Sequence, residues 1–264
     1  MIKGTYTNTY FEGDLVHKSI EPDSNAERHI FGVLSDGVDI NEYISKISQH
    51  VTLPKTCEFK DSRVIQTVID GPNVDEFLVN ADADNPKVLE VYQELIKIYK
   101  KIKADDSLTI DFNMFNFIIN DEDGKLVFVD VTPPLYLDKV KNLDDRFKSQ
   151  RELFMNKPLQ LISFSMYYLL PFIYKDCPKR DMKALFYGMV KVLAQEGVLE
   201  DFNTKYDHMF SDRKNLFLRW LNGDVENFKQ QFVSYDIKND LNAVGENLFE
   251  VPNVNELDGK DIID

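Results

Sequence analysis

Three polar side chains in one stretch of the chain have the types and spacing to do chemistry. Asp111 and Asn116 stand five residues apart in LTIDFNMFNFIIN, residues 108–120, and Asp130 follows the apolar run Leu126-Val-Phe-Val129. Two apolar, β-prone segments, Phe115–Ile119 and Lys125–Val131, flank the turn Asn120-Asp121-Glu122-Asp123-Gly124, so they read as a β-hairpin. Asn116 opens the first strand and Asp130 ends the second, which brings all three polar groups to one end of the hairpin. Asn116 and Asp130 offer amide and carboxylate oxygens. Magnesium takes such donors while keeping part of its coordination for phosphates. Asp111 would then stand near the phosphate, placed to receive a hydroxyl proton. Asp and Asn are also common turn residues, so Asp111 with Asn116 taken alone reads more readily as loop capping, and it is the later Asp130, with Lys18, Glu27 and Asp70-Gly71 in order, that turns the reading. Asp121, Glu122 and Asp123 read as a solvated hairpin tip.

Elements must surround this hairpin to position it. Before it, Thr5–Thr9 and Asp14–Ile20 alternate apolar with polar around the turn Glu12-Gly13-Asp14, a second hairpin. A helix is expected after Pro22, where Ser24 and Glu27 have capping-box spacing. Arg63–Ile69 is β-branched and stops at Asp70-Gly71-Pro72. Pro86–Lys103 places Val88, Val91, Leu95, Ile96 and Tyr99 at helical spacing. After Pro133-Pro134 the pattern is helical, over roughly 143–156, 158–175, 179–196, 204–221 and 224–234. The expected fold class is α+β and two-lobed. Residues 1–70 form a small strand-rich N-lobe, 71–251 a larger helical C-lobe carrying the hairpin, and 252–264 an acidic tail. A cleft between lobes is the natural ligand site.

Composition narrows the function. The 264 residues carry 31 Lys+Arg against 45 Asp+Glu, a formal net charge of -14. A general nucleic-acid binder needs a basic stripe, so nucleic acid is not an expected partner. The most apolar run, Leu159–Tyr174, is shorter than the ~20 residues of a membrane span and contains Pro171, so a buried helix is expected there. The two cysteines, Cys57 and Cys177, are far apart with no CxxC. Free thiols in a reducing, cytoplasmic setting are expected. His17, His29, His50 and His208 share no zinc-ligand spacing, and no G-x-S-x-G points to a hydrolase.

The D-x4-N segment followed by strand, turn, strand and Asp resembles the catalytic loop and metal-binding Asp of the protein-kinase-like fold. It is most similar to the small-molecule branch, the aminoglycoside phosphotransferase and choline kinase type. The matching residues are Asp111, Asn116 with Phe117-Ile118, and Asp130. The family's His two positions before the Asp is absent, with Thr109 in its place, and Ile110 follows it. The resemblance implies a strand-borne Lys on the ATP phosphates, for which Lys18 stands in place. It implies a helix Glu orienting that Lys, for which Glu27 is the candidate beside its capping-box reading. A phosphate-covering loop falls on Gly4–Tyr10 with a single glycine, leaving Thr7 and Asn8 to reach phosphate. The hinge would offer adenine the backbone between Thr67 and Ile69. The implied activity is transfer of the γ-phosphoryl of Mg2+–ATP to a hydroxyl of a small molecule. That acceptor is expected to be cationic and to meet acidic groups such as Asp144, Asp145, Asp181, Glu196 and Asp207. The other reading is a pseudokinase or nucleotide-binding module without transfer.

Overall fold

The computed structural model describes residues 2–3, 8–19, 40–131, 153, 156–223, 225 and 227–232. Five strands make one antiparallel sheet: β1 (Ile2–Lys3), β2 (Asn8–Glu12), β3 (Leu15–Ser19), β4 (Cys57–Lys60) and β5 (Arg63–Thr67), in the order β1-β2-β3-β5-β4. A two-stranded sheet, β6 (Phe117–Ile119) and β7 (Leu126–Phe128), sits in the helical region that follows. The chain is therefore a coarse two-lobed α+β structure, strand-rich first and helix-rich after. The helix expected after Pro22, the 252–264 tail and nearly all of the 143–156 helix lie outside the described residues.

Helix α1 (Ile40–Ile47) buries Ile40, Tyr43, Ile44 and Ile47, one helical face at i, i+3, i+4 and i+7. Its Asn41 grips β4 twice, Nδ2 donating to Phe59 O at 2.9 Å and Oδ1 accepting from Phe59 N at 2.8 Å. Neither α1 nor β4 was expected. The β4–β5 turn uses Asp61 and Ser62, both with positive φ of 50° and 58°, without the glycine that announces such turns.

Helix α2 (Val74–Asn80) starts at a capping box, with Asn73 and Glu76 each accepting the other's backbone N–H. Helix α3 (Pro86–Lys103) begins with Pro at its first position and Asn85 as cap. Helix α4 (Lys157–Tyr174) is buried almost all round, with Pro171 inside it, and forms the centre of the larger lobe. No helix among the described residues is long and apolar enough to cross a membrane. Helix α5 (Lys179–Gln195) packs on α3, while α6 (Leu199–Asn203) and α7 (Met209–Asn222) pack on α4. The helix expected over 204–221 is α7, which starts five residues later at Met209, and the short α6 before it was not expected. A short helical turn covers 228–232 within the expected 224–234.

Lysines donate to the ends of five of these helices, the exposed pair being Lys179 on Gly223 O after α7 and Lys229 on Tyr174 O of α4. The last carbonyls of a helix have no intrahelical donor and sit at its negative end. Lys157 donates to Ile102 O at 2.6 Å and to Asp105 O beyond α3. Lys175 donates to Leu78 O at 2.8 Å and to Ala81 O at the end of α2. Lys214 donates to Phe202 O at 2.6 Å at the end of α6, and burial lowers its pKa to about 8.

The segment leaving β5 is stitched to the β6–β7 hairpin. Ile119 N donates to Pro72 O and Asp121 N to Asp70 O, each at 2.9 Å, and Asn73 bridges Ile118. Gly71 lies between these bonds at φ +136°, where a Cβ would stand 2.0 Å from Ile119 O. Only glycine fits both the backbone angle and the approach. Gly71→Ala should cost on the order of 3 kcal/mol or more. Gly13→Ala, at φ +59° but with open space around it, should cost only about 1–2 kcal/mol. Denaturant unfolding of the two variants checks the difference, and equal losses would contradict the steric account.

Candidate functional site

Asp111 is presented by an alternating stretch of chain. Ile110, Phe112 and Met114 are buried, while Asn113 and Phe115 between them are exposed and Asp111 is half-buried. The inward rings hold the stretch down: Phe112 stacks on Phe164 of α4 at 5.0 Å and on Phe117 at 6.0 Å, and Phe117 meets Phe128 at 5.2 Å. A 3-10 turn, Met114–Asn116, then leads into β6. Asn116 is therefore the last residue of that turn and precedes the strand it was expected to open. Asp130 lies two residues past the end of β7 and was expected at the strand end itself.

Hydrogen bonds shape the loop around Asp111. Its Oδ1 accepts from Asn113 N at 3.0 Å, and its carbonyl accepts from Asn116 Nδ2 at 3.3 Å. With the Asn116 amide nitrogen committed, the amide oxygen is the atom left to meet a cation. Asn113 caps the 3-10 turn, its Oδ1 accepting from Phe115 N at 3.2 Å. Burial, reinforced by the negative charge of Asp130, pushes the Asp111 carboxyl up to about 6, against the Asn113 N–H that favours its charged form.

Lys18 reaches this place from the other lobe. On β3 it pairs with Thr9 and Val64 in register, and its Nζ donates to Val129 O at 2.6 Å. That bond joins the five-stranded sheet to the residue before Asp130. Burial lowers the Lys18 pKa, while the charges of Asp130 and Cys57 oppose the shift. Cys57 on β4 borders the same region; burial raises its thiol pKa, and Gln66 Nε2 lies 3.6 Å from its Sγ. The sequence reading placed none of Cys57, Gln66 and Asn113 at the site. A regular alternation of β3, β4 and β5 would have put Lys18, Cys57 and Gln66 on one sheet face, had β4 been found.

The remaining expected residues fall as follows. Thr7 and Glu27 lie outside the described residues, and Asn8 is described by its backbone alone, paired with Ser19. Thr67 ends β5; its N–H is taken by Thr56 O at 3.0 Å and its Oγ1 by Thr56 N at 2.9 Å. Val68 N is taken by Asp14 O at 2.8 Å. The backbone beyond the sheet therefore begins at Ile69. Of the acidic groups considered for a cationic ligand, Asp181 accepts from Arg180 at 2.9 Å, and Glu196 accepts from Gln93 and Lys100, each at 3.2 Å. Both are engaged in pairs away from Asp111. Asp144 and Asp145 lie outside the described residues.

A cavity of about 690 Å3 lies elsewhere, lined by the turn after α1, by α3 and by Lys125 and Glu196, and by none of Lys18, Asp111, Asn116 or Asp130. Its cations are largely matched by acids: Lys97 with Glu94, Lys100 with Glu196, Lys125 with Asp123. Among the described residues no three His, Cys, Asp or Glu side chains gather as a metal site would require. Asn116 and Asp130 can supply two hard oxygen donors, which fits an ion that completes its shell with phosphate and water. No protein-family model matches the chain, and a search of curated proteins returns no match.

The raised Asp111 pKa carries a sign. The folded state holds this proton between about pH 4 and 6 while the unfolded chain has released it, so Asp111 progressively destabilises the fold as pH rises through that window. Asp111→Asn removes the charge and keeps an oxygen for Asn113 N. It should raise stability at pH 8 by about 1–2 kcal/mol, allowing for partial solvent contact, and by nothing near pH 3.5. Unfolding free energies at the two pH values check this; a variant less stable than the parent at pH 8 would refute it.

Proposed function

We propose that the chain is a phosphotransferase that moves the γ-phosphoryl of Mg2+–ATP to a hydroxyl of a small molecule. The observation that carries this reading is the meeting of Lys18 with the hairpin end. A lysine of the small lobe bonds to a carbonyl 111 residues away, beside Asp130, whose charge acts both on that lysine and on Asp111. Phosphoryl transfer needs little covalent help from protein. It needs positioning and charge neutralisation, and one ammonium with two unlike carboxylates is a set that provides both. The likeness of D-x4-N and the later Asp to the aminoglycoside phosphotransferase and choline kinase type supports the same reading.

Each residue then has a task. Lys18 leaves the Val129 carbonyl to hold phosphate oxygens, a short movement because both acceptors lie at the hairpin end. Asn116 and Asp130 would hold Mg2+, which when bound neutralises charge on the phosphates. Asp111 orients the acceptor hydroxyl and takes its proton late, and its elevated pKa suits a group that must both accept and release a proton near neutrality. Adenine would meet the backbone from Ile69 onward, since the Thr67 and Val68 N–H groups serve the sheet. The acceptor is a small hydroxylated molecule. A cationic one fits the net charge of -14, although Asp181 and Glu196 are engaged elsewhere.

A second reading, a nucleotide-binding module without transfer, is favoured by one observation: Lys18 is already satisfied by Val129 O. Two substitutions separate the readings. Asp130→Ala should weaken Mg2+-dependent ATP binding and abolish turnover together. Asp111→Asn should bind Mg2+–ATP nearly as the parent does yet lose about 10²-fold or more in kcat. Calorimetric titration and nucleotide consumption against a panel of hydroxylated amines provide the readouts. If neither substitution alters binding or turnover, the phosphotransferase reading is wrong. If Asp130→Ala loses nucleotide and the parent transfers to no acceptor, the second reading holds.

A further inference from the structure

We propose that Tyr43 and Gln160 are positioning residues that bracket Thr109–Ile110 and so hold Asp111 in place, tying its geometry to helix α1. The catalytic consequence rests on the phosphotransferase reading; the bracket itself rests on geometry alone. Tyr43 of α1 is 2% exposed, and its hydroxyl donates to Thr109 O at 2.9 Å. Gln160 of α4 is 3% exposed, and its Nε2 donates to Thr109 Oγ1 at 3.0 Å and to Ile110 O at 3.3 Å. Two successive carbonyls and one hydroxyl, all immediately before Asp111, are thus held by side chains from two helices that flank the loop from different sides of the sequence.

Two features argue that this bracket does more than fill space. Gln160 Oε1 is buried and has no hydrogen-bond partner among the described residues. A buried amide oxygen left unmet is costly, and leucine or methionine on the otherwise apolar α4 would avoid it. The amide is present where its nitrogen fixes the residues leading to Asp111, a task no apolar side chain performs. The second feature is the reach of α1. The same helix that holds Thr109 through Tyr43 is clamped to β4 through the two Asn41–Phe59 bonds. A displacement of α1 relative to the sheet is therefore transmitted to the loop before Asp111. Proximity effects make such a loop sensitive, because shifts of about an ångström at a reacting group change rates on the order of a hundredfold.

The test uses the full chain with Tyr43→Phe, Gln160→Leu and both together. Tyr92→Phe is the control, since it also removes one buried hydroxyl bond to α4, that to Ser165 Oγ at 2.8 Å, away from the loop. Turnover of Mg2+–ATP should fall at least tenfold in kcat for each single variant, with KM for nucleotide within twofold of the parent. The double variant should lose less than the product of the two, because both act on one segment. Amide hydrogen exchange at Asn113 and Asn116 should speed up at least tenfold in the variants and stay unchanged in the control. If Gln160→Leu fails to fold, Tyr43→Phe, which removes one hydroxyl and keeps the ring, carries the test. Unchanged exchange at Asn113 and Asn116 in Tyr43→Phe overturns the bracket. So does a kcat loss no larger than that of a control with the same fall in melting temperature. If the parent and Asp111→Asn are equally inactive, the phosphotransferase reading fails, and the exchange rates alone decide whether the bracket holds the loop.

Discussion

The placement of every candidate group depends on a backbone crossing at Gly71. There the chain leaving the sheet runs so close to the β6–β7 hairpin that a single added carbon would lie 2.0 Å from Ile119 O. The approach lets Asp70 and Pro72 offer their carbonyls to the hairpin. It therefore sets the height of the hairpin against the five-stranded sheet. Asn116 enters the hairpin and Asp130 leaves it, while Lys18 comes down from β3. A wider crossing would separate the ammonium from Val129 and Asp130, whatever the quality of packing elsewhere. The aromatic cluster of Phe112, Phe117, Phe128 and Phe164 secures the other side of the hairpin against α4. The hairpin is thus gripped between a glycine-dependent backbone contact and a set of stacked rings.

A second regularity concerns where the positive charges go. Lys18, Lys157, Lys175 and Lys214 all donate to backbone carbonyls, three of the four at helix ends. A carbonyl at a helix C-terminus carries partial negative charge and lacks a donor, so a lysine satisfies both needs without recruiting a buried carboxylate. In a chain with 45 Asp+Glu, this leaves the acids at the surface and uses cations as internal fasteners. Burial lowers the pKa of Lys18, Lys157 and Lys214, which marks the desolvation these contacts must offset. Lys18 differs from the others in that its carbonyl lies beside Asp130 and belongs to no helix.

Local signals made much of this architecture readable. Helix α3 was expected over its observed span because Asn85-Pro86 starts it, lysines close it and a continuous apolar face lies between. The hairpin was readable from two apolar runs around an Asn- and Gly-bearing turn, and Asp111, Asn116 and Asp130 followed from their places along it. What could not be read has physical reasons. The β4–β5 turn adopts left-handed conformations at Asp61-Ser62 with no glycine to signal them, so β4 was missed. Helix α1 spans only eight residues, so its apolar face covers barely two turns and gives a weak periodic signal. The ends of α2 and α6 are met by Lys175 and Lys214, which come later in the chain, so no residue within those helices announces them. The contact of Lys18 with Val129 O was invisible because a backbone carbonyl has no side-chain signature. Gln160 and Tyr43 read as ordinary core positions by periodicity, and only the fold brings them to Thr109.

The crossing between β5 and the hairpin has a mechanical meaning. Val68 N is bonded back to Asp14 O in the sheet, and Asp70 O is bonded forward to Asp121 N in the hairpin. Ile69 is the residue between the two tethers. Along this crossing, any turning of the sheet over the hairpin must be absorbed by the torsions at Ile69. The joint is therefore short, with a tether on either side of Ile69 that leaves little slack between the sheet and the hairpin.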